Sequence, residues 1–314
     1  TMLERQRLYA SFFTELRQHT AYRNLDPRQL ANRHVEVVVR RWLERGLKTA
    51  TLHNYLSFLR TFAGWIGKRG MVREPAYYVG SESPHAHRSE VATEDGSWTA
   101  RNVEIKAKIA EIARFDSWSG MHLELELNFG LRGKEARHLR PHGAIIPREA
   151  ANARDAAAFP ECQTFLHISA GAKGGRPRDV PIATDEQREL LARVLSAVAP
   201  GGFVGRPGFT TSQNQARFYY VIRKFGISKA GLGVVAHGLR HQYANDHFEA
   251  DSGAASPVRG GKARPAGSDI ARRRVARALG HNRGRASSSY IGSDAGLPGT
   301  PTDASPDQSG DGHG

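Results

Sequence analysis

The amino-acid sequence predicts a mainly α-helical protein with a small antiparallel β-sheet, divided between two domains. Apolar residues recur at helical spacing through the first 70 residues, beginning with Leu8, Phe12 and Leu16. Residues 163–182 instead have the composition of two strands joined by a tight turn. A stretch of loop composition at residues 81–98 separates the two parts. The 314 residues are enough for two domains with separate hydrophobic cores.

Residues 1–80 are predicted to form the first, all-helical domain. The Asp-Pro pair at 26–27 is typical of a helix start, because aspartate caps free amide groups and proline fits the first turn. We expect that helix to end near Gly46 and another to begin near Thr49. The second helix carries an apolar stripe, and we assign Phe62 and Trp65 to core packing.

Residues 81–98 are the predicted linker, and residues 99–292 are the predicted second domain. Within that domain, residues 122–132 alternate Leu and Glu as a strand would, yet the leucines also fit a helix, so both interpretations remain open. Residues 249–268 are rich in Gly, Ala, Pro and Ser and are predicted to be a flexible insert. The low-complexity tail, residues 293–314, is predicted to be disordered.

The predicted sheet is a hairpin. Residues 163–169 and 178–182 have strand composition, and the Lys-Gly-Gly-Arg sequence at 173–176 suits a tight turn between them. The rest of the second domain is mainly helical by its apolar spacing. The predicted helices there are 185–198, capped by Thr184, then 213–225, 237–248 and 269–279.

The charge of the chain favours a polyanionic partner. The formal net charge is +14, with an isoelectric point near 10.2. The last 22 residues contain four Asp and no Lys or Arg, which leaves +18 on residues 1–292. Because each phosphate contact releases counterions, such a surplus favours nucleic acid. An anionic membrane surface is the main alternative, but no basic amphipathic helix with a bulky apolar face stands out.

Composition also argues against several other classes of protein. No apolar run approaches the roughly 20 residues needed to cross a bilayer. Cys162 is the only cysteine, so no internal disulfide can form and a reducing cytoplasm fits. The first ten residues have no apolar signal-peptide core, which also favours a cytoplasmic location. His85 and His87 lie in the predicted linker without further candidate ligands, so no metal site is expected there.

Five short segments carry residues suited to phosphodiester chemistry. Two guanidiniums can hold the non-bridging oxygens and balance charge that builds on phosphorus. A tyrosine hydroxyl can attack phosphorus reversibly, a cationic donor can protonate the departing sugar oxygen, and imidazoles can move protons near neutral pH. The segments are Gly-Leu-Arg at 130–132 with Glu135, Lys-Gly-Gly-Arg at 173–176, His-Gly-Leu-Arg-His at 237–241, Leu-Gly-His at 279–281, and Tyr290, nine positions after His281.

Each of these residues has a simpler interpretation when it is taken alone. Arg132 and Arg240 could be structural ion-pair partners, and Lys173 could belong to an ordinary solvated turn. His237 and His241, four residues apart on a predicted helix, could form a zinc pair, although Arg240 between them disfavours a bound cation. The hypothesis of a phosphoryl-transfer site therefore depends on the whole set.

In their order and spacing, these segments resemble the motifs of the tyrosine recombinase (phage integrase) family. The family pattern GLR-x-x-E is matched at 130–135, and K-G-G-[KR]-x-R-x-V-P-[LI] is matched at 173–182. The pattern H-x-L-R-H-x-x-A is matched at 237–244, and L-G-H with a tyrosine nine residues later is matched at 279–290. The family's N-terminal DNA-clamping (SAM-like) domain has the pattern of the helix near Thr49. The resemblance spans nearly the whole chain except the tail.

The resemblance implies a site-specific DNA recombinase or integrase with Tyr290 as its covalent nucleophile. Tyr290 would attack the scissile phosphate and form a 3′-phosphotyrosyl bond, while Arg132 and Arg240 would hold that phosphate. Lys173 would protonate the 5′-oxygen leaving group. The resemblance implies no cofactor and no metal.

Three further residues have supporting roles that the resemblance implies. His237 and His281 would bond the phosphate and help to move the nucleophile's proton, and Glu135 would orient Arg132 or support its helix. Arg137 departs from the family pattern, because an apolar residue is common at that position. The insert at 249–268 makes the interval between the second arginine and the tyrosine longer than is usual in the family.

The implied partner is double-stranded DNA with inverted-repeat core sites, bound by a homotetramer in the cytoplasm at the nucleoid. Accessory DNA-bending proteins are further candidate partners, and no membrane is involved. Little chain after Gly292 suits the helix that family members often dock on a neighbouring subunit. Two alternative functions stay open: a topoisomerase-like nicking and closing enzyme, and a DNA-binding accessory protein that kept the fold and lost turnover.

Overall fold

A computed structural model describes residues 2–261, 265–281 and 283–293, apart from the side chain of Lys173. The chain divides into two compact units, residues 1–90 and residues 91–314, and the division falls inside the predicted linker. The described elements are mostly helices, together with a three-stranded antiparallel sheet. The predicted fold class is therefore confirmed.

Every regular element among the described residues of the first unit is a helix. Its long helices direct one apolar face into a shared core that includes Phe12 and Leu56. Glu15 is buried beside this core and accepts hydrogen bonds from Arg41 at 2.5 Å and Arg45 at 2.8 Å. The helices are α1 (Met2–His19), α2 (Asn32–Glu44), α3 (Thr49–Trp65) and α4 (Pro75–Val79).

The start of α2 differs from the prediction. Asp26 accepts a hydrogen bond from the Arg28 amide as a helix cap does, but it caps only a single 3-10 turn, Pro27–Gln29. The backbone is extended at Ala31, so the α-helix begins afterwards, at Asn32. The cap was therefore identified correctly, and the length of the helix that follows it was not.

The core assignment of Trp65 was wrong, whereas that of Phe62 is confirmed. Phe62 is partly buried and packs against the core. Trp65 is 62% exposed. It lies two residues beyond the buried Ala63, which is about 200° around the helix from the apolar stripe. Its ring lies 5.8 Å from the Tyr9 ring and 6.5 Å from the Phe62 ring, between centroids.

The sheet of the second unit extends the predicted hairpin by one strand. Leu166 in the central strand pairs with Ile145 on one side and with Val180 on the other. The first strand was not predicted, because it has only three residues, is largely exposed and ends in a proline, so it shows no alternating pattern. The strands are β1 (Ile145–Pro147), β2 (Thr164–Ile168) and β3 (Arg178–Pro181).

The segment 122–132 could be a strand or a helix by its sequence, and the structure shows that residues 122–129 belong to a helix. The side chain of Asp116 caps its start, and Gly130 ends it with a left-handed φ of 57°. Leu123 and Phe129 are fully buried. This element is α6 (Ser117–Phe129), between α5 (Ile105–Phe115) and α7 (Gly133–His138).

The remaining predicted helices occur within a few residues of their expected positions, and Thr184 is confirmed as the cap of the one it precedes. Three short helices, α7 and the elements α8 and α13, were not predicted. The elements are α8 (Ala153–Ala158), α9 (Asp185–Ala197), α10 (Thr211–Lys224), α11 (Gly238–Ser252), α12 (Ser268–Ala278) and α13 (Ser288–Ile291). Helices α6 and α11 pack against each other, which brings the end of α6 close to the start of α11.

Part of the predicted insert is folded. Residues 249–261 comprise the end of α11 and a 3-10 turn, Pro257–Arg259. Residues 262–264 and the tail beyond residue 293 lie outside the described residues, so flexibility and disorder stay predictions there. Across the described chain, no helix is both long and apolar enough to span a membrane.

Candidate active site

Arg240, in the first turn of α11, connects several of the predicted segments. Its side chain is fully buried. Nε donates a hydrogen bond to the hydroxyl of Tyr290 at 3.0 Å, and Nη2 donates to the carbonyl of Leu279 at 2.6 Å. Nη1 donates to the carbonyl of Gly130. One guanidinium therefore joins the Gly-Leu-Arg, His-Gly-Leu-Arg-His and Leu-Gly-His segments to the tyrosine.

Arg240 remains cationic in spite of its burial. Burial lowers the pKa of Arg240 to about 10, while Tyr290 and Glu135 keep that pKa from falling further. Since the value stays well above neutral pH, a full positive charge lies at the centre of the site. The guanidinium carbon is 5.3 Å from the centroid of the Tyr290 ring. Tyr290 itself is only 6% exposed.

Glu135 is a buried anion that holds two arginines. Its Oε1 and Oε2 accept hydrogen bonds from Nη1 and Nη2 of Arg178, each at 2.8 Å. Arg132 also donates to it, through Nη1 at 2.8 Å and through its backbone amide at 2.7 Å. Burial raises the pKa of Glu135, but the hydrogen bonds and charge of Arg178, with the charge of Arg240, lower it to about 2. Glu135 therefore stays ionised and orients both guanidiniums.

Arg178 is a site residue to which the sequence assigned no role. It lies at the start of β3, is almost fully buried, and donates from Nε to the carbonyl of Ala278 at 2.8 Å. Gly280 has a left-handed φ of 74°, and a Cβ there would come within 2.7 Å of Arg178 Cδ. Only glycine fits this approach. The sequence showed that Arg178 belongs to the family pattern at 173–182. It did not show that Arg178 links β3 to the end of α12.

Three histidine rings surround Tyr290. The distances from its ring centroid are 4.9 Å to His241, 5.9 Å to His281 and 6.1 Å to His237. The nearest ring is therefore His241, which was not among the predicted catalytic residues. A zinc pair of His237 and His241 has no support from the described residues, among which no three His, Cys, Asp or Glu side chains group as metal ligands.

The environment of His237 and His241 favours their neutral forms. Burial, the neighbouring His241 and the charge of Arg240 lower the pKa of His237 to about 4. Burial also lowers the pKa of His241. Gly96 packs against the His241 ring so closely that a Cβ would lie 2.9 Å from Nδ1. At neutral pH, His237 can therefore accept a proton or donate one from a single ring nitrogen.

The Lys-Gly-Gly-Arg turn lies between β2 and β3. Lys173–Gly175 forms a 3-10 turn, in which Gly174 and Gly175 have φ values of 72° and 69°. Such values are rare for residues with a side chain, which explains the two glycines. The backbone of Lys173 is part of this turn, but its side chain lies outside the described atoms, so its predicted role stays a prediction.

A basic cavity of about 310 Å³ opens beside His281. Its walls include Arg154, Arg176 and Arg277. Arg132, whose side chain is 22% exposed, is the more accessible of the two predicted phosphate-binding arginines, since Arg240 is enclosed. The arrangement combines a hydroxyl, fixed cations and neutral imidazoles, which are the groups that metal-free phosphoryl transfer needs.

Comparisons with known proteins identify the family. A model of the integrase family matches residues 88–246, and a model of the phage integrase N-terminal domain matches residues 1–72. A search among proteins of curated function found no match. The chain belongs to the integrase family, the tyrosine recombinases.

Solved structures of integrases share the fold. A lambda integrase (75–356) dimer bound to a COC′ core site has a TM-score of 0.55 and 16% identity over 95% of this chain and 91% of that chain. A Tn1549 transposon integrase in complex with circular intermediate DNA has a TM-score of 0.51 and 12% identity over 91% and 89%. A lambda integrase tetramer bound to a Holliday junction has a TM-score of 0.52 and 12% identity over 93% of this chain and 78% of that chain. At these identities the likeness establishes the fold.

Proposed function

We propose that this protein is a site-specific DNA recombinase that cuts and rejoins DNA through a 3′-phosphotyrosyl bond at Tyr290. The observation that carries the proposal is the 3.0 Å hydrogen bond from Arg240 Nε to the Tyr290 hydroxyl, within a cluster of three imidazoles. A nucleophile next to a fixed cation and neutral proton acceptors is the arrangement that attack on phosphorus requires.

In the proposed reaction, the Tyr290 oxygen attacks the scissile phosphorus and the bond from phosphorus to the 5′-oxygen breaks. The phenolic proton passes to a neighbouring base, for which His237 and His281 are candidates. Lys173 donates the proton that the 5′-oxygen takes up as it leaves. A 5′-hydroxyl from another strand then reverses these steps, and since the phosphotyrosyl bond conserves the bond energy, joining needs no ATP.

The two phosphate-binding arginines are held in different ways. Arg132 is partly exposed and fixed by Glu135, so it can meet a phosphate directly. Arg240 is enclosed, and its Nε is occupied by the Tyr290 hydroxyl. For Nε of Arg240 to donate to a non-bridging oxygen, the Tyr290 hydroxyl has to leave it. We infer that DNA binding shifts the tyrosine from this hydrogen bond toward the phosphorus.

The proposed substrate is double-stranded DNA with inverted-repeat core sites, bound by four protomers. Its support is the net charge of +14 and the similarity to integrases seen as a dimer on a core site and as a tetramer on a Holliday junction. Residues 1–80 would clamp the DNA, and residues 99–292 would carry the chemistry. A catalytically silent accessory protein and a nicking–closing enzyme remain the alternatives, and accessory DNA-bending proteins remain candidate partners.

Tyr290→Phe is the direct test of the nucleophile. The variant should bind DNA normally and form no covalent adduct, because only the hydroxyl is removed. Nicked suicide substrates followed by denaturing electrophoresis measure the adduct, and sequencing the DNA trapped on the native protein identifies the target site. An adduct that persists in Tyr290→Phe would refute the assignment, and no adduct with the native protein on any DNA would favour the silent accessory protein.

Lys173→Ala tests the general acid. Sulfur in place of the bridging 5′-oxygen makes a better leaving group that needs no proton. Cleavage by Lys173→Ala should therefore be at least about 100-fold slow on ordinary DNA and recover on the 5′-bridging phosphorothioate. Arg132→Ala is the control and should recover much less, because it stabilises charge on non-bridging oxygens. Equal rescue of both variants would show that these roles are wrongly divided.

A further inference from the structure

The described part of the insert packs directly behind the nucleophile. The 3-10 turn Pro257–Arg259 meets Gly292, two residues after Tyr290. A Cβ on Gly292 would lie 2.9 Å from Val258 Cγ1 and 3.2 Å from Pro257 Cβ, and its φ of 81° also favours glycine. The insert and the end of α13 are therefore in close contact.

Arg259 fixes this turn to two other parts of the unit. Its side chain is 17% exposed and donates from Nη1 to Asp246 at 2.8 Å and to Glu249 at 2.9 Å, both on α11. Nε donates to Asp95 at 3.1 Å, and Nη2 donates to Ser97 at 3.2 Å. Several oriented acceptors hold a guanidinium in one geometry, whereas a single exposed ion pair leaves the side chain free to move.

A second path runs from the insert to the backbone of the nucleophile. Ser256 is fully buried, and its hydroxyl donates to Oδ1 of Asn245. Nδ2 of the same Asn245, also fully buried, donates to the carbonyl of His241 at 2.9 Å and to the carbonyl of Tyr290 at 3.4 Å. The insert thus helps to orient the amide that contacts both the nucleophile and the nearest histidine.

We propose that residues 256–259 of the insert form a positioning element for Tyr290, with Arg259 as its anchor. Arg259 holds the turn at 257–259 in place, and the turn and Ser256 then hold residues 288–292 so that the tyrosine hydroxyl meets Arg240. The segment it supports is only four helical residues long, too short to be stable by itself. The consequence for catalysis rests on the proposed function, whereas the consequence for the local order of residues 288–292 does not.

Hydrogen exchange in the protein without DNA tests the positioning element. The Gly292 amide donates to the Ser288 carbonyl at 3.1 Å and reports opening of α13. In Arg259→Ala, amides of residues 288–292 should exchange at least about 10-fold faster, and Arg259→Lys should restore part of the protection. Arg188→Ala, which removes an exposed arginine from α9, is the matched control and should change nothing there. Unchanged exchange in Arg259→Ala would overturn the proposal.

Ser256→Ala supplies a milder variant in case Arg259→Ala, which leaves Asp95, Asp246 and Glu249 without their cation, does not fold. It should also speed exchange at 288–292. At saturating nicked DNA, both variants should form the adduct about 10-fold or more slowly, with a DNA dissociation constant within about 3-fold of the native value. Faster global exchange without a local change at 288–292 would reduce the insert to a general stabiliser. If the native protein forms no adduct, the proposed function fails while the exchange result still decides the positioning role.

Discussion

Glu126 and Glu135 are both buried and lie nine residues apart, Glu126 before the first motif and Glu135 at its end, yet their charge states are opposite. Burial raises the pKa of Glu126 to about 8. Burial acts on Glu135 in the same direction, but hydrogen bonds from Arg178 and the charges of Arg178 and Arg240 bring its pKa to about 2. At neutral pH, Glu126 is therefore mainly protonated and Glu135 is ionised.

The hydrogen bonds that each carboxylate receives, rather than its degree of burial, account for the opposite pKa shifts of Glu126 and Glu135. Both oxygens of Glu135 receive guanidinium donors from Arg178. Oε1 of Glu126 has no hydrogen-bond partner in the described part of the chain. Arg137 is the cation that lowers its pKa most, and a Cβ on Gly133 would stand 3.0 Å from Arg137 Nη1 and 3.1 Å from Glu126 Oε1. A nearby charge without direct hydrogen bonds does not offset burial.

Glu135→Gln should have the largest effect. An amide cannot accept both Arg178 donors as a carboxylate does, so a buried cation is left partly unpaired, which costs about 3 kcal/mol of unfolding free energy. Arg132 also loses the anion that orients it, so adduct formation should fall about 100-fold or more. Urea unfolding and single-turnover cleavage measure the two effects. Retention of native stability and native rate would show that Glu135 is not needed to hold these arginines.

The acid dependence of the same variant sharpens this result. Because the folded-state pKa of Glu135 lies below its unfolded value of 4.5, its stabilisation is present above about pH 4.5 and is lost as pH falls toward about 2. Glu135→Gln should lack that part of the acid dependence. A difference between the variant and the native protein that does not shrink on acidification would contradict the assigned charge state.

The sequence predicts the candidate catalytic residues better than it predicts the residues that hold them in position. Arg132, Arg240 and Tyr290 stand in short motifs whose spacing depends on the reaction, so they could be identified without coordinates. The role of Arg178 depends on β3 approaching the end of α12, which is 100 residues away in the chain. Arg259 lies in a stretch whose composition predicts only a loop, and two of its acceptors, Asp95 and Ser97, lie 164 and 162 residues away in the chain.

The fold shows the same division between local and distant information. Caps such as Thr184 and the β2–β3 hairpin were predicted because their signals are local. β1 was missed because an exposed three-residue edge strand is defined by pairing with Leu166 rather than by its own pattern. The exposure of Trp65 was missed because its aromatic side chain was taken as a sign of burial, although its position lies off the apolar stripe.

Glu126→Gln should have a smaller effect that depends on pH. The folded-state pKa of Glu126, about 8, lies above its unfolded value, so the native protein loses stability as pH rises from about 4.5 to about 8. The variant and the native protein should have similar unfolding free energies near pH 5. Between about pH 5 and about pH 8, the advantage of the variant should grow by on the order of 1 kcal/mol per pH unit. Glu124→Gln on the same helix is the control. Parallel pH profiles for native and Glu126→Gln proteins would mean that Glu126 is ionised in the fold.

Arg137→Met should have the smallest effect at neutral pH. Arg137 is buried, its Nε has no hydrogen-bond partner in the described residues, and it lies over the Phe218 ring at 5.0 Å. With Glu126 protonated there is no ion pair to break, so a methionine of similar length should change the unfolding free energy by less than about 1.5 kcal/mol. Arg137 also lowers the pKa of Glu126, so its removal should extend the loss of stability with rising pH beyond about pH 8. Unfolding curves from pH 5 to 9 measure both effects. If Glu126 and Arg137 formed a buried ion pair, removing one partner would instead cost about 3–5 kcal/mol of unfolding free energy. A loss of that size at pH 7 would show that Glu126 and Arg137 are both charged, and the contrast with Glu135 would then disappear.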